Sequence, residues 1–345
     1  MAGGRAPLPE HGYLTIAIEL ADVEKTFVVW RKRGRVRRER EVVRAVDGVS
    51  FSIERGAMVG YIGPNGAGKS TTVKMLTGIL VPSGGRVRVA GVEPARQRID
   101  LARRIGVVFG QRVQLWWDLP LQDSFELLRH VYRVPADRHR RNLDAFVERL
   151  EMAPFLATPV RQLSLGQRMR GELTAAMLHD PEILFLDEPT IGLDVVAKAR
   201  VRDFLAEMNR ERGVTVLLTT HDLADIERLC ERMLIIDHGR VIYDGGIEEL
   251  VALHGAERTL VVDLAEPAPP LELDGARVER VDGPRQWLRF RREELSAAEL
   301  IAAVAERAAI VDLAIEEPDI EDVVARIYRG DAAVTQLGSD PGPAH

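Results

Sequence analysis

Two stretches of this sequence carry the residue types needed to hold phosphate. The first is Gly63, Pro64, Asn65, Gly66, Ala67, Gly68, Lys69, Ser70 and Thr71. Its glycines let the backbone turn N–H groups toward an anion at the start of a helix, whose positive end points the same way. The G-x-x-x-x-G-K-S spacing places Lys69 on β- and γ-phosphates and the Ser70 hydroxyl on Mg²⁺. An acidic pair supplies the other half. Asp187 ends the apolar run "ILFL" and is suited to hold Mg²⁺, directly or through water. Glu188 follows it and can polarise an attacking water as general base. The second phosphate-type stretch, Leu163 to Gln167 ("LSLGQ"), stands just ahead of a helical pattern. A single chain with two such sites poses a question about which phosphate each one serves.

The elements that must position these residues can be read from periodicity. Residues 13–29 alternate as a strand, and a charged insert follows at 31–40. Residues 42–63 read as two strands with turns at Asp47-Gly48 and Arg55-Gly56, the second running straight into Gly63. A helix is expected over 70–79, ended by the Pro-Ser-Gly-Gly turn at 82–85. Residues 118–180 show mostly helical spacing. From "EILFLD" to "RMLIID", short apolar strands alternate with helices, which means a parallel sheet covered on both faces. After a break near 254–258, "TLVVDL", "ARVERV", "WLRFR" and "IVDLAIE" read as strands, and "SAAELIAAVAER" and "DIEDVVARIY" as helices. That is a small α+β domain. The stretch 331–345 is small and polar and is expected to be disordered.

Bulk properties exclude several classes. The 345 residues are 46% apolar and 29% charged, enough for an ordinary core, and the net charge of −6 gives no overall case for nucleic acid. Cys230 is the single cysteine, so an intrachain disulfide and a four-cysteine zinc site are both excluded, as suits a reducing compartment. The first residues lack a basic-then-apolar signal layout, and no apolar run approaches the ~20 residues of a membrane helix.

Over roughly residues 14–254 the chain strongly resembles the ATP-binding cassette family, the nucleotide-binding subunits of ABC transporters. The phosphate loop, "LSLGQ", "ILFLDEP", "IGLD" and "LLTTHDL" occur in that family's order. The implied fold is α/β. It has a P-loop NTPase core with an antiparallel β subdomain and an α-helical subdomain at about 112–180, then the small C-terminal α+β domain. The ATP-binding domain is expected at 1–255 and an accessory or dimerisation domain at 256–330. The resemblance implies that Gln111 contacts Mg²⁺ and the water, that His221 contacts the γ-phosphate and that Asp194 is the D-loop acid. Phe27 lies where the family usually stacks an aromatic on adenine; a plain core phenylalanine is the equal alternative. In this family the signature of one subunit meets the phosphate loop of another. Ser164, Leu165, Gly166 and Gln167 would therefore serve a neighbour's ATP, which implies a homodimer or a heterodimer around two MgATP. Leu165 departs from the family's commonest Leu-Ser-Gly-Gly-Gln.

The implied activity is ATP hydrolysis coupled to transport, driving separate membrane-spanning permease subunits from the cytoplasmic face of the cell membrane. "EEPDIEDVVARIY" resembles the end of drug, antibiotic or polysaccharide exporter subunits. Its acids Glu317, Asp319, Glu321 and Asp322 read as helix caps and solvation. Trp116 and Trp117 are read either as a permease-docking groove or as helical-subdomain core. The basic loop 31–40, with seven Lys or Arg, has three readings: a solvated hairpin loop, contact with anionic lipid, or nucleic acid, in falling order. The competing functions are a soluble cassette ATPase acting on ribosomes or nucleic acid, and a regulatory ATP-binding dimer.

Overall fold

The computed structural model describes residues 16–33, 37–110, 113–220, 222–254, 257–291, 294–316 and 320–329. The chain divides into two compact units, Met1–Asp244 and Gly245–His345.

In the first unit, β1 (Ile16–Arg33) and β2 (Arg37–Glu54) form a long antiparallel hairpin. The insert expected as a loop is largely strand, with Arg31 opposite Glu39 and Arg33 opposite Arg37. The expected turn at Asp47-Gly48 is not a chain reversal. Val23 pairs with Val49 and Lys25 with Val46, so β2 carries one extra residue there and bulges, with Gly48 at φ 74°. A bulge and a turn need the same left-handed glycine, which is why the sequence does not separate them.

β3 (Met58–Ile62) is buried along its whole length and ends at the phosphate loop, after which α1 (Lys69–Leu76) begins. β4 (Gly84–Val89) pairs with β1 and completes a three-stranded antiparallel sheet, ordered β2-β1-β4. The short α2 (Arg98–Ala102) leads into β5 (Ile105–Phe109). The expected helical stretch contains α3 (Leu121–Tyr132), α4 (Ala136–Arg149) and α5 (Leu165–Met177). Then follow β6 (Ile183–Asp187), α6 (Val195–Arg212), β7 (Thr215–Thr219), α7 (Leu223–Leu229), β8 (Arg232–Asp237) and β9 (Arg240–Gly246). The second sheet has the order β5-β6-β7-β3-β8-β9 and is parallel from β5 to β8. Ile18, Val49 and Ile53 of the antiparallel sheet share one core with Tyr61, Phe185, Leu217 and Leu234 of the parallel one. Burial of this kind contributes about 2 kcal/mol per large side chain and fixes the phosphate loop between two rigid layers.

The second unit starts with α8 (Ile247–His254) and β10 (Glu257–Leu264), then β11 (Ala276–Asp282) and β12 (Arg285–Arg291). α9 (Ala297–Ala305), β13 (Ile310–Glu316) and α10 (Ile320–Arg329) complete it. Its antiparallel sheet runs β11-β12-β10-β13. Leu260, Val262, Leu288 and Phe290 pack with Leu300 and Val304 of α9. Ser296 and Glu299 cap that helix reciprocally. Thus the α/β class and the α+β pattern read from the sequence are those of the structure.

Candidate functional site

The phosphate loop is shaped by two close approaches. A Cβ at Gly63 would run into the Ile236 carbonyl oxygen, and one at Gly68 into that of Ala45. Neither backbone atom can yield, so only glycine fits. Gly66 and Gly68 also have φ of 87° and 112°. Lys69 is buried, and its ammonium donates to the carbonyls of Gly63 and Pro64. Burial lowers its pKa, while the charges of Glu188 and Asp187 act in the opposite direction.

The acidic strand end faces this loop. Asp187 and Glu188 line a cavity of about 910 Å³ together with Gly63, Pro64, Asn65, Ser70, Lys74, Phe109, Gly110 and Ile191. Its lining holds a hydroxyl, an amine and two carboxylates, and its size suits a nucleoside triphosphate. Asp187 accepts a 2.6 Å hydrogen bond from Thr219 Oγ1. Glu188 adopts φ 55°, a left-handed conformation unusual for a residue with a side chain, and its N–H donates to the Thr219 carbonyl at 2.9 Å. Gly110 donates to the Asp187 carbonyl at 2.8 Å, and a Cβ there would come within 2.6 Å of the Glu188 carbonyl. The exit of β5 is thereby pressed against the backbone of both acids. Ser70 and Asp187 present hard oxygen donors, the set that suits Mg²⁺.

Sequence reasoning assigns Gly63, Pro64, Asn65, Ser70, Asp187 and Glu188 to one site, and the structure gathers them at one cavity. Gln111 and His221 fall outside the described residues. Thr71 lies on α1, half-buried. Phe27 is half-buried on β1 with Lys25 Nζ 5.2 Å from its ring, and is not among the cavity's described lining. Sequence reasoning misses Thr219, Gly110 and Lys74. Thr219 carries a signal, since it stands two residues before His221 in the run "LLTTHD".

The second phosphate-type stretch stays out of this lining. Among the described residues, none of Ser164, Leu165, Gly166 and Gln167 lines the large cavity. Ser164 caps α5: its hydroxyl accepts from Gln167 N–H at 3.2 Å, and its own N–H donates to the Gln167 side chain at 2.9 Å. Gly166 sits close to α6, where an added Cβ would meet the Ala197 Cβ at 3.2 Å. Asp194 caps α6 by accepting from Ala197 N–H at 2.8 Å. Leu165 has a partner within the chain, for its Cδ2 lies 2.9 Å from where a Gly192 Cβ would stand. Trp116 and Trp117 are exposed, 40% and 49%, so the reading of them as helical core is corrected. Leu115, Leu121 and Phe125 fill that core instead.

Of the C-terminal acids, Glu317 and Asp319 lie outside the described residues, and the insert's charged tip likewise spans residues outside them. No described helix is long and apolar enough to cross a membrane. The ABC transporter family model matches residues 46–191. A daunorubicin resistance ATP-binding protein from Streptomyces coeruleorubidus is 35% identical over 303 residues, covering 85% of this chain and 94% of that one. A Nod factor export ATP-binding protein from Ralstonia nicotianae is 36% identical over 238 residues, covering 64% and 72%. The solved structure of an ATP-binding subunit of an ABC transporter matches with TM-score 0.59 at 26% identity, over 68% of this chain and 92% of that chain. A dimeric bacterial ABC transporter cassette matches with TM-score 0.56 at 29% identity, over 66% and 98%.

Proposed function

Because this chain belongs to the ATP-binding subunits of ABC transporters, we propose that two copies close around two MgATP and drive a separate membrane permease in export. The chain is an ATPase of exporter type, as its drug-resistance and Nod-factor-export relatives are named. The observation that supports the dimer is that Ser164 and Gly166 are not among the described lining of their own phosphate cavity, while Ser164 stands exposed at the start of a 13-residue helix. Such a helix start offers N–H donors and a positive end to a second molecule's γ-phosphate. This answers the question of two sites in one chain: one is for its own nucleotide and one for a neighbour's.

In this reading Lys69 and the loop N–H groups hold the β- and γ-phosphates. Ser70, Asp187 and Gln111 would hold Mg²⁺, which would supply neutralising charge to the phosphates. Glu188 takes a proton from water as its oxygen attacks the γ-phosphorus, and the bond to the β-phosphate oxygen breaks, giving ADP and phosphate. His221 contacts the γ-phosphate, and Asp194 belongs to the loop facing the partner. ATP favours the closed pair and hydrolysis reopens it. Trp116 and Trp117, both exposed, offer the aromatic anchors for a permease helix.

Glu188→Gln tests the reading. It should lower turnover by about a hundredfold or more and accumulate ATP-bound dimers in size-exclusion chromatography. Normal turnover would remove Glu188 as the base. Activity per subunit that stays constant on dilution well below the dimer constant would remove the shared site.

A further inference from the structure

One carboxylate outside the catalytic cavity is placed as a joint. Glu172 lies on α5, five residues beyond Gln167, and is buried, 3% exposed. It accepts hydrogen bonds from the backbone N–H groups of Gln114 at 2.9 Å and Leu115 at 3.5 Å. Its other oxygen, Oε2, is buried with no hydrogen-bond partner among the described residues. A buried carboxylate half used is costly, and an apolar side chain there would be cheaper.

The surroundings show what the cost secures. Glu172 lines a cavity of about 170 Å³ with Phe109, Gly110, Trp117, Leu165 and Arg168. Gln114 is held from the other side as well, since its side-chain amide donates to the Val107 carbonyl on β5. Leu115 packs at Gly171, where an added Cβ would lie 3.1 Å from its Cδ1. Arg168 lies 5.9 Å from the Trp117 ring. A continuous path therefore runs from β5, whose exit touches the backbone of Asp187 and Glu188, through Gln114 to Glu172. From there it follows α5 to Ser164 and Gly166. Leu165 closes the same cavity and leans on Gly192.

We propose that Glu172 is a positioning residue that fixes the signature helix to the segment following Gln111, so that the state of one copy's ATP site sets where its Ser164 and Gly166 stand toward the neighbour's ATP. The proposal rests on the shared-site reading above. Glu172 touches no substrate. It acts through the backbone of Gln114 and Leu115.

The test uses the full chain and two variants of similar shape. Glu172→Met keeps the volume and removes the acceptor, and Glu172→Gln keeps an oxygen for Gln114. ATPase turnover is divided by the number of bound sites, measured with a fluorescent ATP analogue. Glu172→Met should lose tenfold or more in kcat per occupied site, with analogue Kd and stoichiometry within twofold of the unchanged chain. Glu172→Gln should remain within threefold in kcat. Turnover within twofold in Glu172→Met overturns the proposal. So does a loss in Glu172→Gln as large as in Glu172→Met, or a fall in occupancy that accounts for the lost activity, which is what a merely structural role produces. Activity per subunit of the unchanged chain that stays constant on dilution well below the dimer constant would instead remove the shared-site reading beneath it, so the two failures are told apart.

Discussion

Asp225 offers a stability test that the site depends on. It is fully buried on α7, and its carboxylate accepts from Arg202 on α6 and, at 2.5 Å, from the Thr190 hydroxyl. Thr190 stands two residues after Glu188, so this pair fastens the loop behind the base to the two helices that follow. The Arg202 side chain is 15% exposed. Asp225→Asn keeps the shape but replaces one acceptor oxygen with an NH₂ group that cannot receive either donor. A buried guanidinium then loses its counter-charge, which costs about 3–5 kcal/mol when one partner of a buried pair is removed. The remaining amide oxygen can still take one bond, so the lower figure applies, about 3 kcal/mol. For a unit of this size that is a fall in Tm of roughly 6–12 °C. Circular dichroism melts on the full chain read it directly. Adding Arg202→Met should recover at least half of the loss, because no unpaired charge remains. A shift under about 2 °C in Asp225→Asn, or a double variant no more stable than the single, would refute the account.

Three further outcomes follow from other contacts. Burial raises the Glu172 carboxyl from 4.5 to about 7, against the Gln114 and Leu115 N–H groups and the Arg168 charge. The folded chain therefore keeps a proton that the unfolded chain has lost, so this group's contribution is full below pH 4.5 and is lost as pH rises through about 7. Glu172→Gln should gain stability over the unchanged chain between about pH 5 and 8, by on the order of 3 kcal/mol at most, in urea titrations; an equal difference at both pH values would contradict this. Gly110→Ala would force a Cβ to within 2.6 Å of the Glu188 carbonyl, and should lower kcat about a hundredfold by displacing the base, measured as steady-state ATPase. Leu165→Gly loses its packing on Gly192 and should destabilise by about 1 kcal/mol or more. A tenfold rise in its ATPase would show that the leucine restrains turnover.

Much of the site is legible in the sequence because its chemistry is local. The loop from Gly63 to Ser70 and the pair Asp187-Glu188 announce themselves by spacing, and the strands leading to them by apolar runs. What stays hidden depends on contacts between distant residues. Glu172 and Gln114 are 58 positions apart, and Thr190 and Asp225 are 35 apart, with no period linking either pair. Trp116 and Trp117 are ambiguous in sequence because an aromatic pair suits a core or an interface, and only exposure decides between them. Asp47-Gly48 misleads for a local reason, since left-handed glycine serves a bulge as well as a turn.

The left-handed backbone at Glu188 has a consequence for anyone selecting variants of this protein. A non-glycine residue held at φ 55° carries strain of order 1 kcal/mol, and glycine would relieve it. A screen that rewards heat resistance alone would therefore drift toward Glu188→Gly and would count the loss of the base as an improvement. Thermal selection and functional selection point in opposite directions at this position, so a hardened variant must be chosen by turnover as well as by melting.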